Sequence, residues 1–507
     1  MKYIQFLPAV VTVLLPLPTM AANVYSGCSV PSLKSGHHTF FVDPANGSLS
    51  GDGSAAKPWR TLADVLNPAN KLISTQGHAG AAYTKGTDTT LHPVNPNGPI
   101  KAGDVILLRS GDHGSPTISN MFNTDFITVA AAPGATPIIG KTAIVSSAKW
   151  MFQGLTFQGM ASLATGATRV TASNGYLVST GIGDWQGPTS DVVFDNSTFQ
   201  SAGSTTGWTD FDWLSKPFSL TIRANSPCTS ITSNHFTNIL NAIGVTEEKV
   251  LVQGNTIENF SNDAIEITAS NLLVKGNTIK KGLNTTVDPW HADGIQGWSK
   301  VSNGVTAINQ NVVLDGNNIL KTGDTKSTYL QGISVYDGKW NNLVVQNNVV
   351  VTNHWNAIAI YGAENSRIIN NTVVSSDPTG HPSMIQVHDA KDGRPSSGVV
   401  VRNNISTSFD IAKGNTVLDH NIAAFSFSTY PNGTKTFTQS GTIGSSNSVI
   451  PAVLAGFMTV NTEAGQFDLR LRSNSVAIGF GAGSGAPMLD ILGRARTVPI
   501  DLGAYAH

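Results

Sequence analysis

One spacing constrains this chain more than any other feature. A unit of the form apolar-x-apolar-x-x-Asn-x-(Ile/Val/Phe) recurs through the middle of the sequence, with its asparagine at Asn234, Asn255, Asn277, Asn317, Asn347, Asn371 and Asn403. Val250-Leu251-Val252-Gln253-Gly254-Asn255-Thr256-Ile257 and Leu272-Leu273-Val274-Lys275-Gly276-Asn277-Thr278-Ile279 are two full copies. The short intervals are 21, 22 and 24 residues; those of 30, 32 and 40 are the same unit carrying an insertion. Each apolar-x-apolar triplet alternates with period two and so reads as a strand with one buried face. A unit this short cannot close a core alone, whereas copies stacked about 4.8 Å apart share a continuous one. Asparagine at a fixed turn position bonds its own backbone and tolerates unusual backbone angles. The leucine signature of a leucine-rich repeat is missing, and an antiparallel sandwich has no reason to keep one register. The expected fold is all-β, a single-stranded parallel β-helix.

Composition agrees. Charged residues make up 12% of the chain, about half the usual share, and 50 glycines help to fill the gap. Many short strands joined by tight turns suit that balance; long amphipathic helices do not. A formal net charge of -1 gives no electrostatic ground for nucleic-acid binding. Lys2, the apolar run Phe6 to Leu17 and Thr19-Met20-Ala21-Ala22 read as a signal peptide over residues 1–22, with cleavage near Ala22 or Asn23. No later stretch is apolar enough for a membrane span, so a secreted or periplasmic monomer is expected. Export permits a disulfide between Cys28 and Cys228, the only cysteines, although two separate thiols fit the sequence equally well. Residues 23–100 read as an N-terminal cap and entry segment, in which Pro58 to Leu66 form a short amphipathic helix over the first coil. The β-helix itself is expected over 101–425, and 426–507 as an irregular C-terminal capping segment.

Register then aligns side chains between coils. The central isoleucine of each unit's second strand is the reference: Ile243, Ile265, Ile295, Ile333, Ile358 and Ile385. One residue later come Gly244, Glu266, Gln296, Ser334, Ala359 and Gln386. Three later come Thr246, Thr268, Trp298, Tyr336, Tyr361 and His388. Alternation places both columns on the outer face. Four residues before the reference lie Ile239, Ser261, His291, Tyr329, His354 and His381; two before lie Asn241, Asp263, Asp293, Gln331, Asn356 and Ser383. Rings in file on a polar surface suit sugars, which present C–H faces and hydroxyls. The competing account is an aromatic ladder that only stabilises the sheet. Trp298, Gln296, Gln331, Tyr336, His354, Tyr361, Gln386, His388 and His381 are therefore candidate contacts for a polysaccharide substrate.

The densest constellation is Asp288-Pro289-Trp290-His291-Ala292-Asp293-Gly294-Ile295-Gln296-Gly297-Trp298, in the longest interval. His291 can take a proton near neutral pH, with Asp288 or Asp293 to orient it, and Tyr329 at the equivalent position one coil on is a matching acid. His291, Tyr329, Asp293 and Asp288 are the candidate catalytic residues; a loop histidine bonded to a carbonyl is the plainer account of His291. Asp263 and Asp293 stand where Asp often only caps a turn. Asp263 with Glu266 could alternatively bind Ca2+ through oxygen. No tight His-x-x-His spacing points to zinc.

Phe41-Val42-Asp43-Pro44, Gly51-Asp52-Gly53, Pro58-Trp59-Arg60-Thr61-Leu62 and Lys101-Ala102-Gly103-Asp104-Val105-Ile106 resemble the entry segments of the pectate-lyase-like superfamily of carbohydrate-active β-helices. Phe467-Asp468-Leu469-Arg470-Leu471, Ser475 to Gly479 and Ile500 to Tyr505 resemble its closing segment. The resemblance implies a right-handed coil and action on polysaccharide. Asp288-Pro289-Trp290-His291 is similar to the Asp-Pro-His element of the β-helical alginate C5-epimerases, which act on uronate polymers with His and Tyr, but inserts Trp290. The paired aspartates and Gly-His-Gly of polygalacturonases are absent. No Lys or Arg base stands in the column, though Lys249, Arg367 or Arg394 could approach from loops. Three functions follow: a lyase or epimerase that abstracts the proton next to a uronate carboxylate, its charge neutralised by a cation or metal; a glycoside hydrolase using Asp263, Glu266 and Asp293; or a β-helix that holds a glycan without chemistry.

Overall fold

The computed structural model describes residues 24–29, 31, 37–78, 90–159, 175–181, 187–218, 220–283, 292–322, 329–376, 382–412, 415–425, 448–451, 456–461 and 466–507. The expected signal peptide, together with Asp288, His291 and His381, lies outside the described residues.

Each coil contributes three strands to three faces. Val250–Gln253, Thr256–Phe260 and Asp263–Ile267 form one coil, and pair in parallel with Leu272–Lys275, Thr278–Gly282 and Ala292–Trp298 of the next. We call these the first, second and third faces. The sheet already begins at Thr39–Val42, which pairs in parallel with Val105–Leu108. The expected reference column holds throughout: Ile243, Ile265, Ile295, Ile333, Ile358 and Ile385 are successive register partners. Val178 and Ile222 precede them and Phe409 follows, so the column is longer at both ends. All the isoleucines in it are fully buried. On the second face the core opens with a ring stack in which Phe157, Phe199 and Phe236 have centroids 4.7 and 4.8 Å apart. That is the spacing between hydrogen-bonded strands, so backbone and core share one repeat.

Asparagine side chains clamp the turn between the first and second faces. Asn234 N donates to Asn255 Oδ1 at 2.9 Å, Asn255 N to Asn277 Oδ1 at 3.0 Å, and Asn277 N to Asn317 Oδ1 at 3.1 Å. The row continues through Asn348, Asn371, Asn404 and Asn421. This corrects the expectation at two coils, where Asn348 and Asn404 stand in the row instead of Asn347 and Asn403. Asn347 and Asn403 occupy the preceding position, which is left-handed (φ 55° and 58°) and is filled by Gly254, Gly276 and Gly316 in other coils. Both residue types accept that conformation, so an Asn-Asn pair is ambiguous by sequence.

The ends are covered. Helix Leu62–Leu66, capped by the Thr61 side chain, buries Leu62, Val65 and Leu66 over the first coils. The C-terminal segment runs back along the left-handed asparagines: Asn347 Nδ2 donates to Leu489 O, Asn370 Nδ2 to Asp501 O and Asn403 Nδ2 to Ala482 O. Cys28 and Cys228 form a disulfide, resolving the two pairing states the sequence allows. It fastens Val24 and Tyr25 over Leu251, Leu273, Val313 and Val344 of the first face. Among the described residues no helix is long and apolar enough to cross a membrane.

Candidate functional site: the outer side of the third face

The third face gathers the expected columns, and a corner explains how. The residues just before the reference are Ala242, Ala264, Gly294, Gly332 and Ala357. They point into the core: a Cβ on Gly294 would meet the Ile319 side chain at 2.7 Å, and one on Gly332 would meet Ala357 O at 2.1 Å. Simple alternation therefore breaks at the strand start, and the Asp293 and Gln331 side chains emerge on the outer side.

They join one hydrogen-bonded row across four coils. Asp293 accepts from Ser334 Oγ and from Gln296 Nε2 (3.4 Å). Gln331 Oε1 accepts from the Tyr336 hydroxyl and from Asn356 Nδ2 (3.1 Å). Gln386 Nε2 donates to Asn356 Oδ1 at 3.0 Å, and the Tyr361 hydroxyl donates to Gln386 Oε1 at 3.2 Å. Mutual cover makes the row drier than an outer face would be by alternation alone: Asp293 and Ser334 are 0% exposed and Gln331 2%. Burial, and behind it the Asp293 charge, pushes the Tyr336 phenol upward; burial and then Asp410 do the same to Tyr361. Both phenols are thus neutral donors.

The rings stand in file. Tyr336 and Tyr361 have centroids 5.2 Å apart, Tyr361 and His388 5.1 Å, and His388 Nε2 lies 3.2 Å from Asp410 Oδ2. Trp298 is the exception. A register shift after Gly297 pairs it with Asp337 and not with Tyr336, so it leaves the file. With Gln296, Gly297, Tyr336 and Asp337 it lines a cleft of about 210 Å³. Tyr329, 38% exposed, lies at the entry edge of the face with its ring 5.7 Å from that of His354, which in turn lies 4.8 Å from Trp355.

Toward the N-terminus the row becomes acidic. Asp293 N donates to Asp263 Oδ1 at 3.2 Å, and Asp263 N to Asn241 Oδ1 at 3.1 Å, so Asp263 does tie coil to coil. Asn241 Nδ2 donates to Glu266 Oε1. Burial pushes the Glu266 carboxyl up to about 7, against the smaller opposing pull of that bond. Among the described residues no group of three or more His, Cys, Asp or Glu is arranged to hold a metal ion.

Of the cations considered for this face, Arg367 belongs to the first face, where it pairs with Val344 and Val400, and Lys249 immediately precedes a first-face strand. Arg394 donates to the carbonyls of Gly338 and Gly362. Two residues beyond the expected set extend the column after the reference: Asp410 follows Phe409 and Arg223 follows Ile222. The isoleucine pattern hid the first because Phe replaces Ile, and the second because its coil carries an insertion. Lys391, 5.6 Å above the Tyr336 ring and 2.9 Å from Asp337, comes from a loop outside any column.

Residues 219–483 match the family described as right handed beta helix region. No curated protein sequence matches the chain significantly. Solved structures with a likeness to it include pectate lyase Pel9A, at 16% identity over 94% of this chain and 97% of that one, with a TM-score of 0.46. A mannuronic acid specific polysaccharide family 6 lyase from human gut microbiota is 12% identical over 71% of this chain and 88% of its own, with a TM-score of 0.39. A tailspike protein of an E. coli bacteriophage, in complex with a hexasaccharide, is 10% identical over 70% and 66%, with a TM-score of 0.38.

Proposed function

The chain belongs to the right-handed β-helix family, and from that premise we propose that it is an exported enzyme acting on a uronate-containing polysaccharide, as a lyase or a C5-epimerase. The observation that carries this reading is the file Tyr336, Tyr361 and His388 beside a continuous row of amide, hydroxyl and carboxylate groups on one face. Rings at coil spacing offer apolar platforms, and the row offers directed donors and acceptors, which is what an extended sugar chain requires. The N-terminal sequence and the disulfide support export.

The proposed chemistry is removal of the proton on the carbon that bears the uronate carboxylate. His291 is the base. It precedes Ala292 in the chain, and Ala292 is the register partner of Leu330, which follows Tyr329. Tyr329 is the acid and Asp293 the orienting group. In elimination, the electron pair left behind forms a double bond as the bond to the neighbouring glycosidic oxygen breaks, and that oxygen takes a proton from Tyr329. In epimerisation the same carbon regains a proton on its opposite side and no chain bond breaks.

A glycoside hydrolase is the second reading, favoured by Glu266: a carboxyl that keeps its proton to about pH 7 beside the carboxylates Asp263 and Asp293 suits a general acid. One assay separates the readings. The protein is incubated with uronate and neutral polysaccharides while unsaturated-uronate absorbance, reducing ends and deuterium uptake from solvent are followed. Absorbance identifies a lyase, deuterium uptake with intact chains an epimerase, and reducing ends alone a hydrolase. For either of the first two, His291→Ala is expected to lower the rate by about 10² to 10⁴-fold. Binding with none of the three signals overturns an enzymatic role.

A further inference from the structure

The column that follows the reference carries Gln386, Ala359, Ser334 and Gln296, then Glu266 and Gly244, and reaches Arg223 before it passes to Ser179 and Ala143. This arginine has no carboxylate partner. Arg60, Arg109, Arg402, Arg470 and Arg494 each pair with an aspartate. Arg394 and Arg496 donate to backbone carbonyls. Arg223 lies over the Tyr176 ring, 4.9 Å from its centroid, and gives one Nη to that phenol's oxygen. Its Nε is buried without a hydrogen-bond partner, as are those of Arg394 and Arg496. Among the described residues no carboxylate lies within ion-pair distance of it, and its other Nη makes no hydrogen bond. The first acid along the column, Glu266, is two coils away, roughly 10 Å at the spacing of hydrogen-bonded strands.

Holding a guanidinium partly out of water with no counter-charge is unfavourable, and an anion docked on it removes that penalty. The Nε is buried, so what the guanidinium offers an anion is its second Nη and its positive charge. Tyr176 holds the guanidinium from below, so little side-chain freedom is lost when an anion arrives. We propose that Arg223, seated on Tyr176, is a subsite for a uronate carboxylate of the polysaccharide, toward the N-terminal end of the third-face track. The inference rests on the reading of that face as a polysaccharide site.

The test is calorimetric titration with an oligouronate and with its methyl ester, which has the same shape and no charge. Wild type is expected to prefer the acid. Arg223→Gln should bind the acid about ten- to a hundredfold more weakly, bind the ester as wild type does, and melt within a few degrees of wild type. Arg223→Lys keeps the charge without the planar guanidinium held on Tyr176 and should retain part of the preference. It also serves as the deciding variant if Arg223→Gln does not fold. Should wild type bind neither ligand, the polysaccharide reading falls and the inference with it. Should wild type prefer the acid while both variants keep the full preference, Arg223 alone is excluded.

Discussion

At the scale of single residues, Glu266 links the site to stability. Its carboxyl is raised by burial from 4.5 to about 7. The native protein therefore holds a proton in a range where the unfolded chain has released it. The stabilisation from the neutral carboxyl is complete below about pH 4.5 and is lost as the pH rises through about 7. By the usual conversion it amounts to about 3 kcal/mol. Glu266→Gln keeps an oxygen for Asn241 Nδ2 and cannot ionise. Urea midpoints for wild type and variant should coincide at the acid end of that window and separate at the alkaline end, with the variant more stable. Parallel curves across the window would mean that Glu266 ionises normally. The same variant, assayed for reducing ends, weighs the hydrolase reading, since a general acid cannot be replaced by an amide.

At the scale of the repeating element, one position decides what a substitution does. Asn277 is 0% exposed; its Oδ1 takes Asn255 N and Nδ2, while its Nδ2 serves Val252 O at 3.0 Å. Asn277→Ala leaves the Asn255 amide and a buried carbonyl without partners, for a cost of about 3 kcal/mol. Its neighbour Gly276 has φ 62° and open space where a Cβ would go, so Gly276→Ala costs only the left-handed backbone, about 1 kcal/mol. Chemical denaturation of the two variants should show that gap; equal losses would remove the asparagine row as a stabilising element. The repeat was legible because each coil must bury the same face in the same register, which is why Ile243 to Ile385 align as the spacing predicts. Asn347 and Asn403 are not told apart from the row by sequence, because Asn serves both neighbouring positions while Gly fills only the left-handed one in other coils. Trp298 left its column because a register shift after Gly297 is invisible to residue counting. The dryness of Asp293 and Ser334 was not legible either, since it arises from bonds between side chains of different coils and not from any one strand's alternation.

At the scale of the whole molecule, the coils form a stack whose outer first face carries an apolar file, and the two ends of the chain are folded back onto the stack. The C-terminal segment answers the left-handed asparagines of the later coils, whereas Val24 and Tyr25 cover Leu251 and its neighbours in the earlier ones. A strap of so few residues has little hold of its own: the Tyr25 hydroxyl donates to Cys228 O at 3.3 Å, and Ser29 N donates to Asp191 Oδ1 at 2.8 Å. The disulfide adds a covalent tie. It joins residues 200 apart, so chain entropy sets an upper limit of about 5 kcal/mol on its contribution. The native-state part of its effect should be local, because the inter-coil hydrogen bonds do not depend on the strap. Cys28→Ser and Cys228→Ser, or treatment with reductant, should therefore lower the melting temperature. Hydrogen exchange should rise first in Val250–Gln253 and Leu272–Lys275 of the first face, while Asp263–Ile267 and Ala292–Trp298 of the third face keep their protection. Polysaccharide binding should survive in the reduced protein for the same reason. If protection instead falls equally on all three faces, the strap supports the stack as a whole, and the first face does not open as a separate unit.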